Sequence, residues 1–136
     1  MTQLEALQAA LAGEHAALYG VGVAGGKLSG ARFRGATDLY EQHRSNRDQL
    51  SALVVAAGKT PVAADPAYDL PQAVTNAATA AALVLLIERR VAAVYGDLVE
   101  AAEQPAVRSF AIESLLSAAS TQIAWGGAPV AFPGAV

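Results

Sequence analysis

Four polar side chains that could form a charge cluster or a metal site interrupt the apolar pattern of this sequence. They are Glu14, His43, Arg47 and Glu88. Each stands where its apolar neighbours, three or four residues away, call for a side chain that faces the core of a helical protein. Because an ionised carboxylate is costly to bury without a partner, we expect these four residues to meet inside the fold.

These residues match part of the ligand pattern of di-iron and di-manganese helical bundles. In such bundles two helices each contribute one Glu, and the other two each contribute a Glu-x-x-His motif. Glu14 and Glu88 could be the single carboxylates, but the two histidine positions hold Arg44 and Leu116 instead. The full set of di-metal ligands is therefore missing.

The four residues allow more than one interpretation. In the first, Arg47 and a protonated His43 neutralise Glu14 and Glu88 in a buried ion-pair network, because the arginine fork suits two carboxylates. This predicts a non-enzymatic protein without a cofactor, which acts by self-association or by binding a partner. In the second, Glu14, His43 and Glu88 bind a divalent metal such as iron or manganese, as in a di-iron-like oxidoreductase. A small molecule held between the helices is a third interpretation.

Three further residues could extend this cluster as a second layer: Tyr40, Arg44 and Tyr95. The two tyrosines lie on apolar stripes, where each hydroxyl needs a polar partner. Arg44 stands four residues before Asp48 and is also expected to form an ordinary helix pair with it. His15 lies about 100° around its helix from Glu14, so we expect it at the surface or at an interface.

Apolar periodicity predicts four helices. The first is expected from roughly Thr2 to Ala24, and the second carries its stripe from Phe33 to Ala57 and is closed by Gly58. The third stripe runs from Val74 to Ala102, and the fourth helix starts near Pro105. The apolar stripe expected for the fourth helix consists of Ile112, Leu116, Ala119 and Ile123.

The segment from residue 58 to residue 71 contains three prolines and has no period, so it predicts a long ordered connection. Two helical hairpins joined by such a crossover are typical of a ferritin-like, antiparallel four-helix bundle. We expect residues 1–127 to form this bundle. Residues 128–136 are expected to be a C-terminal tail that either packs back through Phe132 or frays.

Composition disfavours several classes of partner. The net charge is -3, and the nine basic residues form no cluster that would bind nucleic acid or an anionic membrane. The most apolar stretch, Ala77 to Ile87, is about half the ~20 residues that a transmembrane helix needs. No cysteine is present, so thiolate chemistry and disulfides are absent. We expect a soluble, cytoplasmic protein.

Several short motifs together resemble a known family. The motifs are Glu14-His15-Ala16-Ala17, His43-Arg44 with Arg47-Asp48, Ala67-Tyr68-Asp69-Leu70-Pro71, Glu88 with Tyr95, and Ala131-Phe132-Pro133-Gly134. In their order and spacing they resemble the ferritin-like domain family of unknown function found in actinomycete bacteria. The resemblance implies a four-helix fold that is often a homodimer, without an assigned activity or a full di-metal ligand set. It also implies that Glu14, His43, Arg47 and Glu88 form an inward polar cluster.

Overall fold

The fold is described from a computed structural model, which covers residues 1–134 and contains four α-helices. They are α1 (Gln3–Gly25), α2 (Gly30–Ala56), α3 (Ala77–Ala101) and α4 (Pro105–Ala124). The predicted all-α four-helix bundle is confirmed. None of these helices has the length and apolar character that crossing a bilayer requires.

Side chains at two helix starts explain where those helices begin. Thr2 Oγ1 accepts a hydrogen bond from the Glu5 amide, and the Glu5 carboxylate accepts one from the Thr2 amide. Asn76 and Thr79 form the same reciprocal cap on α3. Such caps satisfy amide groups that the first turn leaves without partners. They explain why α3 begins at Ala77, three residues after the start of the predicted stripe.

The segment between α2 and α3 runs back along α1. Near the start of α1, Gln8 Nε2 donates to the Thr60 carbonyl and Gln8 Oε1 accepts from the Val62 amide. Further along α1, the Tyr19 and Tyr68 rings are 5.6 Å apart. The segment therefore follows α1 from its N-terminal towards its C-terminal end, and α2 and α3 run in the same direction. His15 lies along this path, where its Nε2 is 3.0 Å from the Val62 carbonyl.

The helices pack as two hairpins held together by α1 and α3. α1 contacts both α2 and α3, and α3 contacts α4. The larger fully buried apolar side chains come from all four helices: Leu7, Leu11, Val21, Leu50, Val54, Leu83, Val84, Leu98 and Val107. The core is therefore aliphatic, and the polar residues near its middle are the exception.

α4 turns a different face to the core from the one predicted. Ile112, Leu116 and Ile123 are 41%, 59% and 52% exposed. The residues that α4 buries are Val107, Ala111, Ser114, Ala118 and Gln122. Small side chains on this face let α4 approach α3, and Gln122 Nε2 donates to the Glu88 carbonyl at 3.4 Å. Because its buried polar groups find partners, the less apolar face can be the inner one.

The tail packs against α3 through backbone rather than through Phe132. Phe132 is 78% exposed. Gly134 has a φ of +82°, and a Cβ at this position would lie 2.6 Å from the Ala92 carbonyl oxygen. Only glycine can make this approach without strain. The last two residues of the predicted tail, 135 and 136, lie outside the described chain.

Candidate functional site: a buried histidine between two carboxylates

Three titratable residues from three helices meet in the middle of the bundle. Glu14 of α1, His43 of α2 and Glu88 of α3 are each at most 2% exposed. Each lies near the midpoint of its helix and on the buried stripe of that helix. In α1 the stripe is Leu7, Leu11, Glu14, Leu18 and Val21, and in α3 it is Val84, Glu88, Val91, Tyr95 and Leu98. The apolar residues on either side thus bury the polar ones.

His43 lies between the two carboxylates and contacts each with one ring nitrogen. Nδ1 is 2.5 Å from Glu14 Oε2, and Nε2 is 2.6 Å from Glu88 Oε1. An ionised carboxylate only accepts hydrogen bonds, so both ring nitrogens must carry a proton to donate to them. The geometry therefore assigns His43 as an imidazolium that joins α2 to both α1 and α3.

Two opposing effects set the protonation state of His43. Burial on its own lowers the pKa of His43, but the hydrogen bonds to Glu14 and Glu88 raise the pKa, and the net result is about 10. The imidazolium therefore persists throughout the physiological range. With both carboxylates ionised, the three residues carry a net charge of about -1, which other hydrogen bonds must stabilise.

Tyr95 and Asn46 supply hydrogen bonds to the carboxylate of Glu14. The Tyr95 hydroxyl donates to Glu14 Oε1 at 2.6 Å, and Asn46 Nδ2 donates to the same oxygen at 3.2 Å. Burial and the negative charge of Glu14 raise the pKa of Tyr95 above its usual range, so the phenol keeps its proton. Its ring packs edge to face on Phe110 of α4, with centroids 5.9 Å apart. All four helices thus contribute to the site or support it.

The structure does not bring Arg47 into this cluster, so the prediction of a buried arginine fork is wrong. Its side chain is 33% exposed and pairs with Asp48 at 2.9 Å. The stripe of α2 continues from His43 to Asn46 and then to Leu50. Spacings of three and four residues both fit a helix face, and the sequence pattern predicted Arg47, four residues after His43, on the inner face. The histidine alone takes the cationic role that was assigned to both residues.

Of the three predicted neighbours, only Tyr95 reaches the site. Tyr40 is 38% exposed, because Leu39 faces the core in its place. Arg44 lies at the surface and pairs with Glu41 at 3.5 Å rather than with Asp48. Sequence reasoning missed Asn46, whose signal was its position three residues after His43 and four before Leu50. It also missed Ser114 of α4, which is buried.

The arrangement of the three titratable residues does not fit a single metal ion. The two carboxylates lie at opposite nitrogens of the imidazole ring, so one ion could not contact both and the ring as well. Both ring nitrogens of His43 already make hydrogen bonds to the carboxylates, so neither is free to ligate an ion in this arrangement. Within residues 1–134, no three His, Asp or Glu side chains are grouped to hold a metal. A metal could bind Glu14, His43 and Glu88 together only after the ring had moved.

Comparisons with known proteins agree with this fold. A conserved hypothetical protein from Mycobacterium tuberculosis, rv2844, has a crystal structure that matches with a TM-score of 0.88 and 34% identity. The match covers 90% of this chain and 93% of the mycobacterial one. No curated protein matches significantly. A family model described as "Domain of unknown function (DUF4439)" matches residues 6–136. The chain therefore belongs to the DUF4439 family.

Proposed function

We propose that this chain is a non-enzymatic, ferritin-like domain in which the Glu14, His43 and Glu88 network replaces a di-metal centre, and that it acts by self-association. The first part rests on one observation, which is that His43 contacts Glu14 with one ring nitrogen and Glu88 with the other. Its imidazolium lies between two carboxylates from different helices, where a bundle of the di-metal type holds its cations. Since these contacts are buried and mutually satisfied, the network serves to hold the bundle together rather than to bind substrate.

The connectivity supports the ferritin-like part of the proposal. The bundle has one long crossover, which runs along α1 and makes α2 and α3 parallel, as in bundles built from two hairpins. Its polar residues project into the bundle core from facing helices, as the ligands of ferritin-like di-metal proteins do. The similar protein comes from Mycobacterium tuberculosis, an actinomycete, which supports the proposal that this chain belongs to a family of actinomycete bacteria.

The outer face of α4 supports self-association. Ile112, Leu116 and Ile123 lie on one side of α4 and are 41% to 59% exposed. An apolar stripe left in water is typical of a surface that another protein covers. Two copies of the same stripe are complementary under two-fold symmetry, which is the commonest arrangement of homo-oligomers. A homodimer through α4 is the simplest assembly that covers them.

Metal analysis tests the first part of the proposal. The protein is purified without chelator, and iron, manganese and zinc are measured by mass spectrometry in the wild type and in Glu14→Gln. We expect both proteins to contain far less than one metal ion per chain. Stoichiometric iron or manganese in the wild type that is lost in Glu14→Gln would establish the metal-binding alternative instead.

Sedimentation equilibrium over micromolar to submillimolar concentrations tests the second part. We expect the wild type to form dimers and Leu116→Lys to weaken them. Val55→Lys is a matched control, because Val55 of α2 is as exposed as Leu116, at 59%, but lies on another helix. A monomeric wild type, or equal weakening by both substitutions, would contradict an α4 interface.

A further inference from the structure

A cleft separate from the buried network lies between α1, α3 and the connection from α2. Its volume is about 230 Å³. The apolar walls consist mainly of Ala16, Ala17, Leu70, Leu83, Ile87 and Val91. None of the residues of the buried network lines it, so its properties do not depend on the function proposed above.

The cleft is bounded by packed elements rather than by loose chain. Gly20, which lines the cleft, lets α3 come so close that an added Cβ would lie 2.5 Å from Ile87 Cδ1. The ring of Tyr68, which also lines the cleft, packs on Tyr19, and the Tyr68 hydroxyl accepts a hydrogen bond from the Asp65 amide at 3.0 Å. These contacts hold the connection over the cleft in a defined position. A ligand would therefore meet a largely preformed site.

Two opposite charges line the cleft from different walls. Arg90 belongs to α3 and Asp69 to the connection, and both are exposed. Across the described 134 residues, neither of them forms an ion pair with another side chain. Because Arg90 and Asp69 flank an apolar cleft and do not form a salt bridge with each other, they are suited to a ligand that carries both charges and an apolar group.

We propose that this cleft binds a free apolar α-amino acid of the size of phenylalanine or leucine. The carboxylate would pair with Arg90, the ammonium group with Asp69, and the side chain would lie against Ile87 and Val91. The volume is suitable, because a 150 Å³ apolar cavity in another protein holds one benzene molecule. A phenyl ring with a short charged end therefore fits a cleft of about 230 Å³.

Three small molecules that share one ring test the recognition of both charges. Phenylalanine carries the carboxylate and the ammonium group, 3-phenylpropionate carries only the carboxylate, and phenethylamine carries only the ammonium group. Binding to the full chain is measured by ligand-observed NMR and calorimetry. We expect phenylalanine to bind about tenfold more tightly than either analogue, because it alone makes both charge-assisted contacts. Equal binding of all three, or no binding at millimolar concentration, would overturn the proposal.

Substitutions at the cleft locate the site. Arg90→Ala should weaken phenylalanine binding about tenfold, whereas Arg89→Ala, which changes the adjacent exposed arginine outside this cleft, should leave it unchanged. Asp69→Asn should weaken phenylalanine but not 3-phenylpropionate. Ala16→Leu should block binding of every ligand by filling the cleft. Thermal unfolding of each variant checks that it folds, and equal losses in Arg89→Ala and Arg90→Ala would overturn the assignment.

Discussion

The middle of the bundle and the outer face of α4 reverse the usual distribution of polar and apolar side chains. In the middle, Glu14 and Glu88 are at most 1% exposed and lie on either side of His43. On α4, Ile112 and Leu116 face the solvent. Both regions lie in one small bundle and have the same helical periodicity. Which side chains are buried in each region therefore depends on the side chains that other helices place next to them, and not on the sequence pattern.

Burial of the charged residues is possible because each charge has a partner that only the tertiary structure provides. A desolvated carboxylate alone would be strongly unfavourable, but one that accepts from an imidazolium and a phenol is compensated. Among residues 1–134 of one copy, the exposed apolar residues of α4 have no such partner. Substitutions that break the buried contacts should therefore lower the free energy of unfolding strongly. Substitutions on the exposed stripe of α4 should change it little as long as no second copy of the chain covers the stripe.

The largest effect is expected from His43→Ala. This substitution leaves Glu14 and Glu88 buried without a cation, and loss of one side of a buried ion pair costs about 3–5 kcal/mol. We expect the free energy of unfolding, measured with urea, to fall by this amount. A triple variant with His43→Leu, Glu14→Gln and Glu88→Gln should recover part of the loss, because it removes the stranded charges together with their partner.

Arg47→Ala is the control for that prediction, because Arg47 lies on the same helix one turn further on. Its pair with Asp48 is partly exposed, so its removal should cost less than about 1 kcal/mol. A loss as large as that of His43→Ala would mean that Arg47 belongs to the network after all.

The pH dependence of stability is the next largest effect. The pKa of His43 is about 10 in the folded protein and about 6.5 in an unfolded chain. The folded state therefore keeps a proton that the unfolded state loses as the pH rises above the lower value. The stabilisation is complete below about pH 6.5 and disappears as the pH approaches 10. Between pH 7 and 9 we expect the free energy of unfolding to fall by about 2 to 3 kcal/mol.

Two variants assign this slope to a residue. His15→Gln removes the other histidine of the chain, which lies beside the crossover, and should keep the slope. His43→Gln should lose it. Urea unfolding at a series of pH values measures both variants, and a wild-type stability that stayed constant from pH 7 to 9 would contradict the assignment of His43 as an imidazolium. Above pH 10 the raised pKa of Tyr95 should add to the loss, because an unfolded tyrosine ionises there.

A smaller loss is expected from Tyr95→Phe, which keeps the buried ring and removes one hydrogen bond to the carboxylate of Glu14. Such a bond to a charged group contributes about 2 kcal/mol. Tyr40→Phe is the matched control, because Tyr40 is half-exposed and lies outside the cluster, and it should change stability by less than about 0.5 kcal/mol. Equal effects of the two substitutions, measured by urea unfolding, would show that the Tyr95 hydroxyl does not support Glu14.

Sequence patterns predicted the helices and the crossover well, because glycines, prolines and helix periodicity are local signals. They also placed Glu14, His43 and Glu88 on inward stripes. They failed on Arg47 and Tyr40 for one reason. On α2, residues one position apart compete for the same stripe, and which of them faces inward depends on how the helix rotates against α1. That rotation is a tertiary property, and it places Leu39 and Asn46, rather than Tyr40 and Arg47, on the inner side of α2.

The face of α4 could not be predicted for a related reason. The apolar pattern predicted that Ile112 and Leu116 face the core, but the face of α4 that is buried contains Ser114 and Gln122. The position of the Glu88 carbonyl, which accepts a hydrogen bond from Gln122 Nε2, makes the Gln122 side chain suitable for burial. The cleft beneath the connection could not be predicted from the sequence either, because its walls come from three segments that are far apart in the chain. Partners contributed by other elements therefore limit prediction from one sequence.

The smallest effect is expected from Leu116→Ala, when it is compared with Leu98→Ala. Leu98 is fully buried, so its truncation leaves a cavity and should cost about 2–5 kcal/mol. Leu116 is mostly in solvent, and its truncation should cost less than about 0.5 kcal/mol in dilute protein. If two copies meet through α4, the cost at Leu116 should grow with protein concentration, because association stabilises the folded state by mass action. Thermal unfolding at increasing concentration measures this growth. If the loss of stability caused by Leu116→Ala did not change with protein concentration, a dimer through α4 would be contradicted.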